Sequence, residues 1–366
     1  IDQEVDQAFI GASLAAVTQQ TTSTQREDLK IVFTPLHGTS ITMVPPVLEK
    51  AGFKGLSIVA AQAVPDGDFP TVKSPNPEEP EALALAMEQA EREQADLVIG
   101  TDPDCDRLGI AVRDDQGQLQ LLDGNQAMIV KTHFLLEQYR KAGKLDQTFI
   151  ASTIVSTPMM RVLADHYGVT YREGLTGFKW IAKMVKDFPQ EHFIGGGEES
   201  FGYMVGDFVR DKDAVTASLL ICEIAAFQKA QGTSIWAYLQ SLYKKHGYFQ
   251  EVLISMVKQG RKGAEEIEDI MKSLREQPPK ELGGSAVRFV EDYQTQTQID
   301  LTTGVQTPLD LPQSNVLIFN TEKGGKIAAR PSGTEPKIKF YISVRADDAE
   351  GLAPQIQQIK TDLRLV

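Results

Sequence analysis

The first third of the chain alternates short apolar runs with helix-patterned stretches, and that alternation restricts the fold to a helix-flanked sheet. Leu29–Phe33, Gly55–Ala60 and Ala95–Gly100 read as strands. Between them, Ile41–Ala51 has helical spacing and stops at Gly52. Pro80–Glu93 is rich in Ala, Glu and Leu and opens with a proline, where a missing N–H costs nothing. The rhythm resumes after Asp123-Gly124. The pattern predicts a long helix to about Gly143, then strands at Gln147–Ala151, Val169–Tyr171 and Glu191–Ile194. It predicts further helices at Pro158–His166, Lys179–Asp187, Asp213–Ala230 and Ser234–His246. From Tyr248 the character changes. A helix at Gly263–Arg275 and a Pro- and Gly-rich stretch from Gln277 to Gly284 precede short strands at Ala286–Val290, Asn315–Phe319, Lys326–Arg330 and Lys337–Val344. A helix at Asp348–Leu363 closes the chain. The expected class is α/β: two consecutive mixed-sheet, helix-flanked α/β domains (1–123 and 124–247), then a small α+β domain (248–366).

At 366 residues the chain is too long for one compact core, in keeping with several domains. Its 37 basic and 50 acidic residues give a net charge of −13, which excludes nucleic acid and anionic membrane as partners over most of the surface. An anionic ligand then needs Arg and Lys gathered locally in loops. Cys105 and Cys222 form no disulfide framework, so a reducing cytoplasm is expected. The longest apolar runs, such as Ser218–Phe227, are too short to span a bilayer, and no signal peptide is visible. Val5, Ala8, Phe9, Ala12 and Leu14 are loosely periodic, so the chain opens at Ile1 within a helix, as a processed chain or a fragment would.

Gly100-Thr-Asp-Pro-Asp-Cys-Asp-Arg107 follows the third strand directly. Asp102, Asp104 and Asp106 stand two apart, which puts their carboxylates on one side of an extended chain, and Pro103 disfavours helix at Asp102. Three converging carboxylates repel unless a cation lies between them, and hard oxygen donors suit Mg²⁺ or Ca²⁺. An EF-hand is excluded, because loop positions six and twelve counted from Asp102 hold Arg107 and Arg113. A phosphatase with an Asp nucleophile fits this loop alone. Cys105 is a soft ligand and reads as a packing residue facing away from the ion. Arg107 either balances the acids or reaches a phosphate oxygen beside the metal.

Two further loops carry ligand chemistry. In Ile194-Gly-Gly-Gly-Glu-Glu-Ser-Phe-Gly-Tyr203, Glu198 and Ser200 share a face and suit neighbouring sugar hydroxyls, whereas two glutamates would not welcome phosphate. Thr176, Gly177 and Lys179, at the start of a helix upstream, and Arg210 downstream are further substrate-binding candidates. Lys212, between Asp211 and Asp213, is either a surface ion pair or a proton donor and acceptor. His37 is a second candidate for proton transfer, or equally a loop residue with its hydrogen bonds satisfied. In Ala329-Arg-Pro-Ser-Gly-Thr-Glu-Pro336, Arg330 can chelate phosphate, and Ser332, Gly333 and Thr334 can complete an anion nest; the alternative is an ordinary hairpin turn.

In order and identity these segments resemble the α-D-phosphohexomutase superfamily of phosphoglucomutases and phosphomannomutases. Thr34–Thr39 is similar to an early segment of that family's second domain. The metal loop is similar to its Asp-Gly-Asp-Gly-Asp-Arg, with Pro103 and Cys105 in place of both glycines. Gly197–Gly202 is similar to its sugar-recognition loop, Arg210–Asp213 to a following segment whose Lys contacts substrate, and Arg330–Thr334 to its phosphate-binding loop. The resemblance implies family domains two to four and interconversion of glucose or mannose 1- and 6-phosphates. It also implies Mg²⁺, a phosphoserine donor and a hexose 1,6-bisphosphate intermediate. The family's Thr-Ala-Ser-His-Asn-Pro-like serine motif has no match here; Ser74-Pro-Asn-Pro77 lacks the His. The expectation is therefore a C-terminal portion of a mutase, partnered by a missing N-terminal domain of the same protein and inactive alone. A metal-dependent sugar phosphatase and a non-catalytic sugar-phosphate-binding module are the rival readings.

Overall fold

A computed structural model describes residues 2–258, 260–333 and 335–365. The chain divides into two compact units. One runs through Ser156 and again from Met160 to Ser241; the other comprises Leu242 onward with the short piece Thr157–Met159.

The first unit holds two sheets. Its leading elements are α1 (Gln3–Ala16), α2 (Ser23–Glu27), β1 (Lys30–Thr34), α3 (Val44–Ala51), β2 (Gly55–Ile58), α4 (Ala84–Glu93), β3 (Leu97–Thr101), β4 (Leu108–Arg113) and β5 (Leu119–Leu122). The sheet order is β2-β1-β3-β4-β5, with β2, β1 and β3 parallel and β4 and β5 antiparallel. Val32, Val98 and Ala111 pack on Ala86 and Ala90 of α4. Their alternates Ile31, Phe33, Leu97 and Ile99 are fully buried as well, because this sheet is covered on both faces. The two expected helices start with irregular turns. Thr39–Thr42 and Pro80–Leu83 are 3₁₀ turns, and α3 and α4 begin only after them.

The second sheet is built from α5 (Gly124–Lys141), β6 (Thr148–Thr153), α6 (Met159–Tyr167), β7 (Thr170–Gly174), α7 (Lys179–Asp187), β8 (His192–Gly197), β9 (Tyr203–Val205), α8 (Ala214–Ala230) and α9 (Ile235–His246). Its order is β7-β6-β8-β9, with β9 antiparallel. Asp123 caps α5 by accepting from the Gln126 N–H, and Gln126 returns a bond to the Asp123 N–H. Helix α8 is buried from Ala214 to Ala226 on every side. It touches β3 and β4 of the first sheet and β9 of the second. That explains its apolar run: a helix between two sheets has no wet face.

The second unit contains β10 (Tyr248–Val257), α10 (Gly260–Glu276), β11 (Glu281–Leu282), β12 (Ser285–Asp292), β13 (Thr297–Asp300), β14 (Gln306–Pro308), β15 (Leu317–Thr321), β16 (Lys326–Pro331), β17 (Lys337–Ala346) and α11 (Leu352–Asp362). Strands run β10-β17-β16-β15-β12-β13-β14, each antiparallel to its neighbour. Ile267 and Met271 of α10 and Leu352, Ile356 and Ile359 of α11 share a core with Phe319, Ile327, Phe340 and Ile342. The fold class is the expected one, two α/β layers followed by a β-rich α+β domain. The final helix starts later than expected, because the Asp348 side chain accepts from the Gly351 N–H and closes a turn there. Among the described residues no helix is long and apolar enough to cross a membrane.

Candidate active site

The metal loop is the connection from β3 to β4. One carboxylate oxygen from each of Asp102, Asp104 and Asp106 lies within 4.8 Å of the others. Asp102 is buried, and its Oδ1 accepts the backbone N–H groups of Asp106 and Arg107, both at 2.9 Å. That clasp curls the loop around one carboxylate. Burial pushes the Asp102 carboxyl up to about 7; the Arg107 N–H opposes the rise, and the charges of Asp106 and Asp104 add to it. A buried acid beside two others is a donor set that a cation would relieve of its repulsion, and all-oxygen donors fit Mg²⁺. Cys105 adopts φ +61°, a left-handed conformation that glycine accepts more readily. Its N–H donates to the Asp102 carbonyl and its carbonyl accepts from Ala214. Burial, then the charges of Asp213 and Asp102, push the thiol well above its usual range, so no thiolate is available as a ligand.

The loop is braced from several directions. Thr39 donates through both its N–H, at 2.8 Å, and its hydroxyl, at 2.9 Å, to the Pro103 carbonyl. A Cβ on Gly38 would come within 2.3 Å of Pro103, so that segment can lie against the loop only as glycine. Arg107 pairs with Gly202 as an isolated bridge, and Leu108 donates to the Phe201 carbonyl at 3.2 Å. These contacts bring the Gly-rich acidic loop of the second sheet to the metal loop of the first.

Lys212 completes the junction. Its Nζ lies 2.9 Å from Asp106 Oδ2 and 3.2 Å from Asp211 Oδ1. Burial opposes its charge, but the hydrogen bond and charge of Asp106 outweigh that and raise its pKa, so it stands as an ammonium. A Cβ on Gly202 would meet the Lys212 stem at 2.6 Å, which is why glycine lies where the lysine crosses. Glu198 is buried, and its Oε1 accepts the Gly177 N–H at 2.8 Å. Its pKa is raised, by burial first and by Glu199 next, while Gly177, Lys212 and Arg107 pull the other way. Glu199 turns inward and accepts from Thr153 at 3.1 Å and Ser156 at 3.0 Å.

The structure thus gathers Asp102, Asp104, Asp106, Arg107, Lys212, Glu198 and Gly177. Ser200, half-buried on the same loop as Glu198, makes no side-chain hydrogen bond among the described residues; nor do Thr176, Lys179 and Arg210. His37 is nearly buried and has both ring nitrogens engaged, Nδ1 with the Val64 carbonyl at 3.1 Å and Nε2 with Thr71 Oγ1 at 2.9 Å. It braces the loop after β2. Glu78 was not singled out by sequence, yet it receives Arg107 Nη1 at 2.9 Å. Its only signal was a place in the proline-rich run Pro75–Pro80. In the second unit, Arg330 is the last residue but one of β16, and Ser332 and Gly333 follow the strand. The Ser332 N–H donates to Lys337 O at 2.7 Å, and Ser332 Oγ accepts from Glu335 at 3.3 Å. Thr334 lies outside the described residues.

Residues 9–117 match the family model "Phosphoglucomutase/phosphomannomutase, alpha/beta/alpha domain II", and residues 123–246 match the corresponding domain III. A phosphoglucomutase of Staphylococcus aureus is 39% identical over 332 residues, covering 90% of this chain and 59% of that protein. The chain therefore spans somewhat over half the length of such relatives. Two solved structures share the fold. A phosphoglucomutase/phosphomannomutase family protein from Burkholderia thailandensis aligns with a TM-score of 0.65 at 16% identity, over 99% of this chain and 64% of that one. The phosphoglucomutase parafusin from Paramecium aligns with a TM-score of 0.66 at 17% identity, over 98% of this chain and 61% of that one.

Proposed function

The chain belongs to the phosphoglucomutase/phosphomannomutase family within the α-D-phosphohexomutase superfamily, and from that premise we propose that it forms the metal- and sugar-binding part of an isomerase interconverting glucose or mannose 1- and 6-phosphates. The observation that carries this reading is the junction at Arg107–Gly202, where a carboxylate triad, an ammonium and a sugar-type Glu/Ser loop meet.

Phosphoryl transfer asks chiefly for positioning and charge neutralisation. Asp102, Asp104 and Asp106 would hold Mg²⁺, which supplies Lewis-acid neutralisation of phosphoryl oxygens when bound. Arg107 offers donors to a phosphoryl oxygen beside the triad. Glu198 and Ser200 grip sugar hydroxyls. Glu198 is anchored through one oxygen on Gly177, and the other has no partner among the described residues. Lys212, held charged by Asp106, is the proton donor in its resting state. Arg330, Ser332, Gly333 and Thr334 bind the phosphate that does not react. The donor is a phosphoserine, with hexose 1,6-bisphosphate as the intermediate. No serine motif of that kind occurs within these 366 residues.

The 366-residue chain alone is expected to bind Mg²⁺ and hexose phosphate without turnover. Incubation with glucose 1-phosphate, Mg²⁺ and glucose 1,6-bisphosphate, followed by a coupled glucose 6-phosphate assay and a phosphate-release assay, tests this. Glucose 6-phosphate formed by the chain alone would refute its inactivity. Released phosphate would place it among phosphatases, and absence of turnover in the full-length gene product would remove the mutase reading.

A further inference from the structure

Building on the metal-loop reading, we infer that Glu78 is a positioning residue that holds the Arg107 guanidinium off the carboxylate triad, so that the triad stays open to a cation. The guanidinium touches three acids at unequal distances. Its Nη1 donates to Glu78 Oε1 at 2.9 Å, a full charge-assisted hydrogen bond. Its Nε stands 3.6 Å from Asp102 Oδ2 and 3.8 Å from Asp106 Oδ1, too far for a hydrogen bond. Nη2 has no partner among the described residues, which leaves a donor for a phosphoryl oxygen.

Without Glu78, the nearest anions to this cation are the metal ligands themselves. Opposite charges this close attract strongly at a partly buried site, so a released guanidinium would settle onto Asp102 and Asp106 and compete with the ion. Glu78 is placed to prevent this by a rigid turn. Asn76 Oδ1 accepts the Glu78 N–H at 3.1 Å, and the Glu79 N–H donates to the Asn76 carbonyl at 3.0 Å. Prolines 75, 77 and 80 restrict the backbone around it. Pro77 lies so close to Gly109 of β4 that a Cβ there would come within 2.8 Å of the proline ring. The Arg107 and Glu78 side chains are 36% and 28% exposed, a degree of exposure at which an ion pair adds little to stability. Its consequence is therefore expected in metal affinity rather than in folding.

Titrating the chain with Mn²⁺ alone, read by electron paramagnetic resonance, tests this in four forms: wild type, Glu78→Ala, Arg107→Ala and the double variant. Glu78→Ala should weaken Mn²⁺ binding about tenfold, as loss of an outer-shell partner does. Its melting temperature should stay close to wild type. In the Arg107→Ala background the same change should have no effect, because the competing cation is gone. Glu78→Asp should recover part of the loss. Unchanged affinity in Glu78→Ala would overturn the inference while leaving the metal site standing. So would a loss that persists undiminished without Arg107. A wild-type chain that binds no Mn²⁺ would overturn the metal site and this inference together.

Discussion

The metal loop and the phosphate loop solve the same problem, holding charge at a turn between two strands, in opposite ways. The metal loop is tied at every residue but Asp104: Asp102 to two N–H groups, Pro103 to Thr39, Cys105 to Ala214, Asp106 to Lys212 and Arg107 to Glu78 and Gly202. In the phosphate loop Ser332 bonds across the turn to Lys337 and Glu335, and Arg330 makes no ion pair among the described residues. On the proposed function, the difference follows from what each would bind. Three carboxylates repel and must be forced together by the protein before an ion arrives. A guanidinium and a set of N–H groups have no such conflict and can be gathered by the phosphate itself. The first loop should therefore have its cost built into the fold, and the second should pay on binding.

The largest effect that could break this contrast is on the triad. Asp104 is exposed and makes no hydrogen bond among the described residues, so Asp104→Ala removes a ligand without loosening the clasp on Asp102. Mn²⁺ affinity should fall by at least about a hundredfold, more than outer-shell changes produce, with thermal stability unchanged or slightly raised by lost repulsion. A melting temperature that drops by many degrees would show that the loop is not held by its other ties.

The second effect concerns the footing of the sugar loop. Lys131 of α5 is 2% exposed, with its ammonium 4.4 Å from the centre of the Tyr203 ring, one residue past Gly202. Burial pulls its pKa from 10.5 down to about 7. Between those values the unfolded chain binds more protons than the folded one, so stability rises with pH across that window, and the full cost is present below about 7. Lys131→Met should stabilise the protein at pH 7 by about 2 kcal/mol, the scale on which apolar replacements of buried ionic groups act. It should also flatten the dependence of melting temperature on pH between about 7 and 10. Parallel curves for the two proteins would mean that the amine is paired or hydrated.

Much of this contrast could be read in the residues themselves. The i, i+2, i+4 spacing of Asp102, Asp104 and Asp106 does end with three neighbouring carboxylates, but not through the extended chain that the period-two argument expects: the loop turns at Pro103 and Asp104, Cys105 is left-handed, and the chain curls about the Asp102 carboxylate. The α/β alternation was legible because β1 and β3 are buried on both faces and read as unbroken apolar runs. The antiparallel strands β5 and β9 were missed. They are short and sit beside turns, so their pairing partner rather than their own sequence defines them. The hairpin β13–β14 was missed because its residues are mostly polar and none is fully buried. Glu78 was invisible for another reason. Its role depends on a partner 29 residues away, and no local pattern encodes such a distance. For His37, residue type alone points to proton transfer, whereas its two hydrogen bonds show a brace.

The last of these effects belongs to the phosphate loop, and it sharpens the comparison most. Arg330 is half-buried at the end of β16, where register with Lys339 of β17 fixes its backbone but leaves its side chain unpaired among the described residues. Removing it costs the free protein nothing, so Arg330→Ala should leave the unfolding free energy within about 0.5 kcal/mol of wild type. Its loss should appear only when phosphate arrives. A charge-assisted hydrogen bond contributes about 1.5–3 kcal/mol, so KM for hexose 1-phosphate in the full-length protein should rise roughly ten- to a hundredfold. Mn²⁺ affinity should not change, because the residues that clasp the triad all belong to the first unit. An unchanged KM would take Arg330 out of the site. A shared loss of metal and substrate affinity would instead show that the two loops are coupled, and the contrast between a prepaid site and a ligand-ordered one would fail.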